Sequence, residues 1–245
     1  MAAVRRTVPQ QEPPAQEAAK EDTAERMERM TRITLRPMAS PLAIGFGGLV
    51  AATFVVAGLN LGWIPPTEGR NVALVLIAFV FPLQLLASIL GYLERDGVAG
   101  TGMGVLAGTW LGIGLVLLTS NPGSTSDALG LFLLSSGALI LIPAIGALAN
   151  KLVPGLVLVG ASVRFFTTGV YQLTASKTWE TAAGVVGVVL AAIALYAAYA
   201  SGLEDSLKKT VLPIGRRSRG KQAVEGTLFD QLQTIRKEPG VRQQL

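Results

Sequence analysis

The 245-residue chain contains no cysteine and no histidine. The first absence excludes disulfides and thiol chemistry, and the two together exclude a Cys- or His-ligated metal and any histidine proton relay. Charge is scarce as well: 15% of residues are Asp, Glu, Lys or Arg, against about a quarter in a soluble domain. What charge there is lies at the ends. Of 21 Lys and Arg, only Arg70, Arg95, Lys151, Arg164 and Lys177 fall between Pro41 and Leu203, and the other sixteen lie outside. No stretch is left that could bury a second, soluble core. The first residues, Met1 to Pro9, lack the apolar region of a signal peptide, so insertion is expected to use the first true spanning helix. No nucleophile–base or metal constellation stands in or near the apolar runs, so an enzyme is not expected and no cofactor is implied.

What is present is apolar and long. Half the residues are hydrophobic and the mean hydropathy is +0.49. A hydrocarbon core about 30 Å thick requires about 20 apolar residues in helix, and six such runs occur, at 41–64, 71–93, 98–119, 128–149, 153–174 and 180–203. Turn chemistry bounds them: Pro65-Pro66, Asp96-Gly97, Asn121-Pro122-Gly123, Asn150-Lys151 and Ser176-Lys177. The predicted fold is an all-α integral membrane protein with six transmembrane helices, residues 40–203, packed antiparallel through short connections.

The tails, 1–39 and 204–245, are rich in charge, Gln and Pro, a composition that predicts disorder. Their sixteen cations, with Arg95 and Lys151, outweigh Arg70 and Lys177 on the opposite loops, so both tails are predicted to be cytoplasmic. The basic balance, with a pI near 9.7, then reads as attraction to anionic lipid headgroups rather than nucleic acid. Thr227, with Asp230 three residues on and an apolar set of Leu228, Phe229, Leu232 and Ile235, predicts a short amphipathic helix; Met27, Met30 and Ile33 form a weaker stripe.

Within the spans, the polar residues carry the functional signal. Arg164 stands near the middle of the fifth run, where lipid offers a guanidinium no partner. Its helical face holds Gly160, Ala161, Thr167, Thr168 and Tyr171, and the opposite side holds Leu158, Val159, Phe165 and Phe166. The small, polar face is predicted to line a cavity and the other to meet lipid or neighbouring helices. With no Asp or Glu in the middle of any span, the cation's partner must be backbone carbonyl, water or a permeating anion, which leaves a structural role and an anion-attracting role both open. Gln84 admits the same pair of readings, an interhelical hydrogen bond or a substrate contact; Asn60 and Tyr92 lie near span ends, where polar groups are cheap. The third run carries glycines at 100, 102, 104, 108, 112 and 114, suited to close packing within one protomer or between protomers. Pro82 and Pro143 are predicted to interrupt the second and fourth spans.

Several segments resemble the acetate/succinate uptake transporter family of the YaaH or SatP type. Thr210-Val211-Leu212-Pro213-Ile214-Gly215 is similar to its C-terminal signature, and Ser40-Pro41-Leu42-Ala43-Ile44-Gly45 stands where the family has Asn-Pro-Ala-Pro-Leu-Gly. Gln84 to Ala87 with Tyr92, Gly108-Thr109-Trp110, and Ala183, Gly184, Gly187, Ala194 and Tyr196 extend the likeness over about residues 40–215. The resemblance implies uptake of small carboxylates across the plasma (inner) membrane by a homo-oligomer, a hexamer in the family, with a pathway through each protomer. The family's constriction of Phe, Tyr and Leu carries over to Leu49, Ala107 and Ala161, and Ala194 joins them in setting the bore. The aromatic positions have become smaller, and the usual Glu is Gly91. Arg164, Gln84, Thr167, Thr168 and Tyr171 are the candidate pathway residues; the implied partners are lipid and a small carboxylate. The alternatives are a channel for a small neutral solute or ammonia, and a non-transporting membrane scaffold.

Overall fold

The computed structural model of the protein describes residues 39–207, 209–218, 220 and 221. The stripes predicted around Met27 and Leu228 lie outside them. Among the described residues six helices are long and apolar enough to cross a membrane: α1 (Leu42–Asn60), α2 (Pro66–Leu93), α3 (Gly97–Thr119), α4 (Asp127–Asn150), α5 (Leu152–Thr174) and α6 (Lys177–Leu207). The predicted runs therefore appear as helices.

Helix ends follow local chemistry. Asp96 caps α3 by accepting from the Ala99 amide at 3.0 Å, and Ser126 caps α4 by accepting from Leu129 at 3.3 Å. Ala175 ends α5 in the left-handed conformation, φ 50°. The α2 helix contains a π-helical turn, Leu76–Val80, directly before Phe81-Pro82. Proline cannot donate to the ladder and its ring crowds the preceding turn, and a π-turn absorbs that misfit. At Pro143 the helix is not broken: α4 runs as α-helix on both sides of it.

Packing closes the six helices into a ring. Each packs on its sequence neighbours and α1 packs on α6, with Ala43 beside Gly202 at the end where both segments leave the bundle. Lipid supplies no hydrophobic drive between helices, so close approach at small residues carries association. The α3 glycines serve this inside the protomer: a Cβ at Gly104 would stand 2.9 Å from Ser88 Oγ, and one at Gly112 2.7 Å from a Phe132 ring carbon. Gly108 alone among the six has nothing within 4 Å. Apolar side chains such as Phe79, Ile142 and Ile145 face outward, as lipid requires. The four largest fully buried side chains, Trp110, Arg164, Phe46 and Phe165, come from α1, α3 and α5.

The hexapeptide Thr210–Gly215 folds back as a strap across the start of α5. Lys151, the residue before α5, gives no side-chain cap. Instead Gly215 O accepts from Leu152 N at 2.9 Å and Ile214 O accepts from Val153 N at 3.1 Å, satisfying amides that a helix start leaves unpaired. Tyr196 donates its hydroxyl to Pro213 O at 2.9 Å, and Arg216 pairs with Glu204. Gly215 has φ +66°, and a Cβ there would stand 2.6 Å from Leu152 Cβ. Glycine is required at that position twice over.

Candidate functional site

The ends of the helices are not level, and the difference makes a recess. A Cβ on Gly184 would stand 3.2 Å from Asn60 Cβ, so α1 ends opposite a residue seven positions inside α6. At 1.5 Å per residue the end of α1 lies about 10 Å below the start of α6. A cavity of about 100 Å³ occupies this region, against the 10–15 Å³ or so that one water needs. Its upper wall includes Arg70, Glu180 and the connection Asn121-Pro122-Gly123; lower down it is lined by Asn60, Thr168, Trp110, Phe165 and Arg164.

Arg164 is 1% exposed yet borders the cavity. Its Nη1 donates to Ala183 O, and its Nη2 donates to Asn60 Oδ1 at 2.7 Å. Part of the guanidinium is anchored by neighbouring helices, as the structural reading requires, and its five N–H donors exceed those two acceptors. A burial of this kind is costly without partners, and α6 makes it possible. A Cβ on Gly187 would lie 3.2 Å from Arg164 Cζ and 3.0 Å from Ala57 Cβ. Gly187 clears the space and Ala183 offers the carbonyl.

The remaining candidates divide. Thr168, with Oγ1 donating to Arg164 O at 2.7 Å, and Tyr171 line the cavity beside Arg164. Thr167 turns its hydroxyl to Val163 O and Arg164 O and does not line it. Gln84 is fully buried away from the cavity; its Nε2 donates to Gly45 O at 3.3 Å and its Oε1 has no partner. Leu49, Ala107, Ala161 and Ala194 are fully buried and do not line the cavity; Ala107 and Ala161 each lie three residues beyond its lower end on their helices, and Leu49 and Ala194 lie further. Phe165, assigned by helical spacing to the side away from the cavity, is part of its lining. Its ring packs edge-on against Trp110, with centroids 5.7 Å apart, and that contact brings it round toward the lumen.

Sequence reasoning missed Asn60, Trp110 and Glu180. Asn60 was discounted as a span-end residue, but its span ends about 10 Å inside the bundle. Glu180, in the first turn of α6, pairs with Lys177 at 2.8 Å and lines the upper wall.

A ring of membrane-length helices enclosing a recess bordered by a buried cation defines a multi-pass membrane protein of the transporter or channel class. The chain belongs to the GPR1/FUN34/yaaH family, whose pattern matches residues 24–214; this is a family of acetate/succinate uptake transporters, not of enzymes. Its fold is similar to the solved structure of the bacterial acetate channel SatP, with a TM-score of 0.65 and 24% identity over 73% of this chain and 99% of that one. No curated protein sequence matches it.

Proposed function

We propose that this protein passes small carboxylate anions, acetate foremost, across the plasma membrane through a pathway within each protomer. The observation that carries the proposal is Arg164: a buried guanidinium at the border of the cavity, held by one carbonyl and one amide oxygen rather than by a carboxylate. An arginine paired with a carboxylate would have its N–H donors occupied by a competing anion; among the described residues this one is held by two neutral oxygens and has donors to spare. Thr168 and Tyr171, which line the cavity, replace water around the anion; Thr167 and Gln84, candidates for the same role in the sequence, do not line it. Leu49, Ala107, Ala161 and Ala194 set the bore beyond the cavity. The charge asymmetry of tails and loops supports both termini being cytoplasmic, with the cavity facing outward. Segments 1–39 and 204–245 act as cytoplasmic tails to the membrane domain at 40–203. The family supports a homo-oligomer, a hexamer.

Acetate flux into proteoliposomes tests this. Loss of one charged hydrogen bond is worth about 1.5–3 kcal/mol, so Arg164→Gln is expected to slow flux by roughly 10- to 150-fold while the oligomer elutes unchanged. Undiminished acetate flux through Arg164→Gln returns the arginine to a purely structural role. Flux of ammonia or glycerol without acetate would replace the substrate assignment.

A further inference from the structure

The residues that close this chain's pathway are Trp110 and Phe165, we infer, and not the positions where the constriction was expected. This rests on the transport reading above. On α3, Trp110 follows Ala107 by three residues, and on α5, Phe165 follows Ala161 by four. Each large ring therefore stands about one turn nearer the cavity than a small side chain at an expected neck position. The two rings meet at a centroid distance of 5.7 Å and an interplanar angle of 65°, a packed edge-on pair. Both border the cavity while each is 1% exposed, which makes them its floor. At the expected neck positions behind them, Ala107 and Ala161 supply only methyl groups, both buried.

The floor also hides a donor. Trp110 Nε1 is buried without a hydrogen-bond partner, an arrangement native interiors rarely keep. Phe165 directly follows Arg164, so a ring that swings aside opens the floor within reach of the guanidinium. The uncovered indole N–H then gives a carboxylate a second donor, and the anion stabilises the open state. The pair thus serves as barrier and as selectivity element: the Phe165 ring excludes bulk, and the Trp110 N–H favours solutes that accept hydrogen bonds.

The absence of cysteine in the chain allows a direct test. Thr168→Cys, above the floor, and Ala107→Cys, below it, are exposed separately to an anionic methanethiosulfonate added from the side of residues 120–126. Thr168→Cys is expected to react at least tenfold faster. Adding Phe165→Ala is expected to bring Ala107→Cys up to a similar rate and to admit larger carboxylates such as benzoate. Phe165→Leu, which keeps the site filled, must move both readouts in the same direction where Phe165→Ala does not fold. Trp110→Phe keeps a ring but removes the donor, and is expected to lower acetate flux while leaving Ala107→Cys protected. Equal labelling of the two cysteines in otherwise unaltered protein, or protection of Ala107→Cys that survives both Phe165 variants, overturns the assignment. If the unaltered protein carries no acetate while the labelling pattern holds, the transport reading fails and the barrier stands.

Discussion

Removing the amide that competes for Arg164 is expected to weaken the empty protein and strengthen its grip on an anion. The bond from Arg164 Nη2 to Asn60 Oδ1 is 2.7 Å long, between residues 1% and 7% exposed. Deleting a charged hydrogen bond of this kind costs about 1.5–3 kcal/mol. At about 2–4 °C per kcal/mol for a chain of this size, Asn60→Ala should melt roughly 3–12 °C below the parent without substrate. The space vacated borders the cavity, so a carboxylate can take the place of the lost oxygen. Recovery of the whole bond would tighten acetate binding by roughly 10- to 150-fold, and partial recovery by less. A ligand stabilises its protein by RT ln(1 + [L]/Kd), about 2.7 kcal/mol at a hundredfold excess over Kd. Melting in nanodiscs across an acetate titration reads both effects: a lower starting temperature, and a rise that begins at lower acetate than in the parent. An acetate response equal to or weaker than the parent's would refute the reasoning, because Asn60 would then not compete with an anion for the guanidinium.

Three other outcomes are expected. Gly187→Ala places a Cβ 3.2 Å from Arg164 Cζ and 3.0 Å from Ala57 Cβ, an overpacking worth about 1–3 kcal/mol; it should lower both melting temperature and acetate flux, and an unchanged flux would mean the guanidinium's position is immaterial. Gly215→Ala meets a left-handed φ, about 1–2 kcal/mol, and a contact with Leu152 at 2.6 Å, so the detergent-solubilised protein should melt earlier; a parental melting curve would show the strap to be dispensable. Ser124→Cys should be labelled by an impermeant maleimide in intact cells, and Ser206→Cys only after permeabilisation; the reverse pattern inverts the proposed topology.

The membrane spans were legible because bilayer thickness imposes a minimum apolar length on every spanning helix, and turn residues bound each run in the sequence. The levels at which those helices meet were not legible. Asn60 sits at the end of its run, and a linear reading places such an amide at the membrane surface. Only the pairing of Asn60 with Gly184 shows that α1 ends inside the bundle, which turns a cheap surface amide into the buried partner of Arg164. The same limit applies to Trp110 and Phe165. Each is an apolar residue in an apolar helix, and nothing in its own neighbourhood distinguishes a ring against lipid from a ring at a cavity floor. Helical spacing placed Phe165 opposite the polar face, yet adjacent residues on a helix differ by only about 100°, and a large ring reaches round that arc.

Gly187 shows where sequence and structure could have met earlier. A glycine in a helix interior costs about 0.5–1 kcal/mol relative to alanine, so it asks for a compensating neighbour. That neighbour is the arginine on the preceding span: Ala57, Thr53 and the guanidinium converge on the space a Cβ would take. Arg164 therefore depends on three helices at once, α1 for an oxygen, α5 for its backbone, and α6 for both a carbonyl and room. A cation tied to three helices reports any movement among them. Under the transport proposal, an anion that drew the guanidinium away from Asn60 would break the hydrogen bond between α1 and α5 in the same step, at the level where the Trp110–Phe165 floor begins.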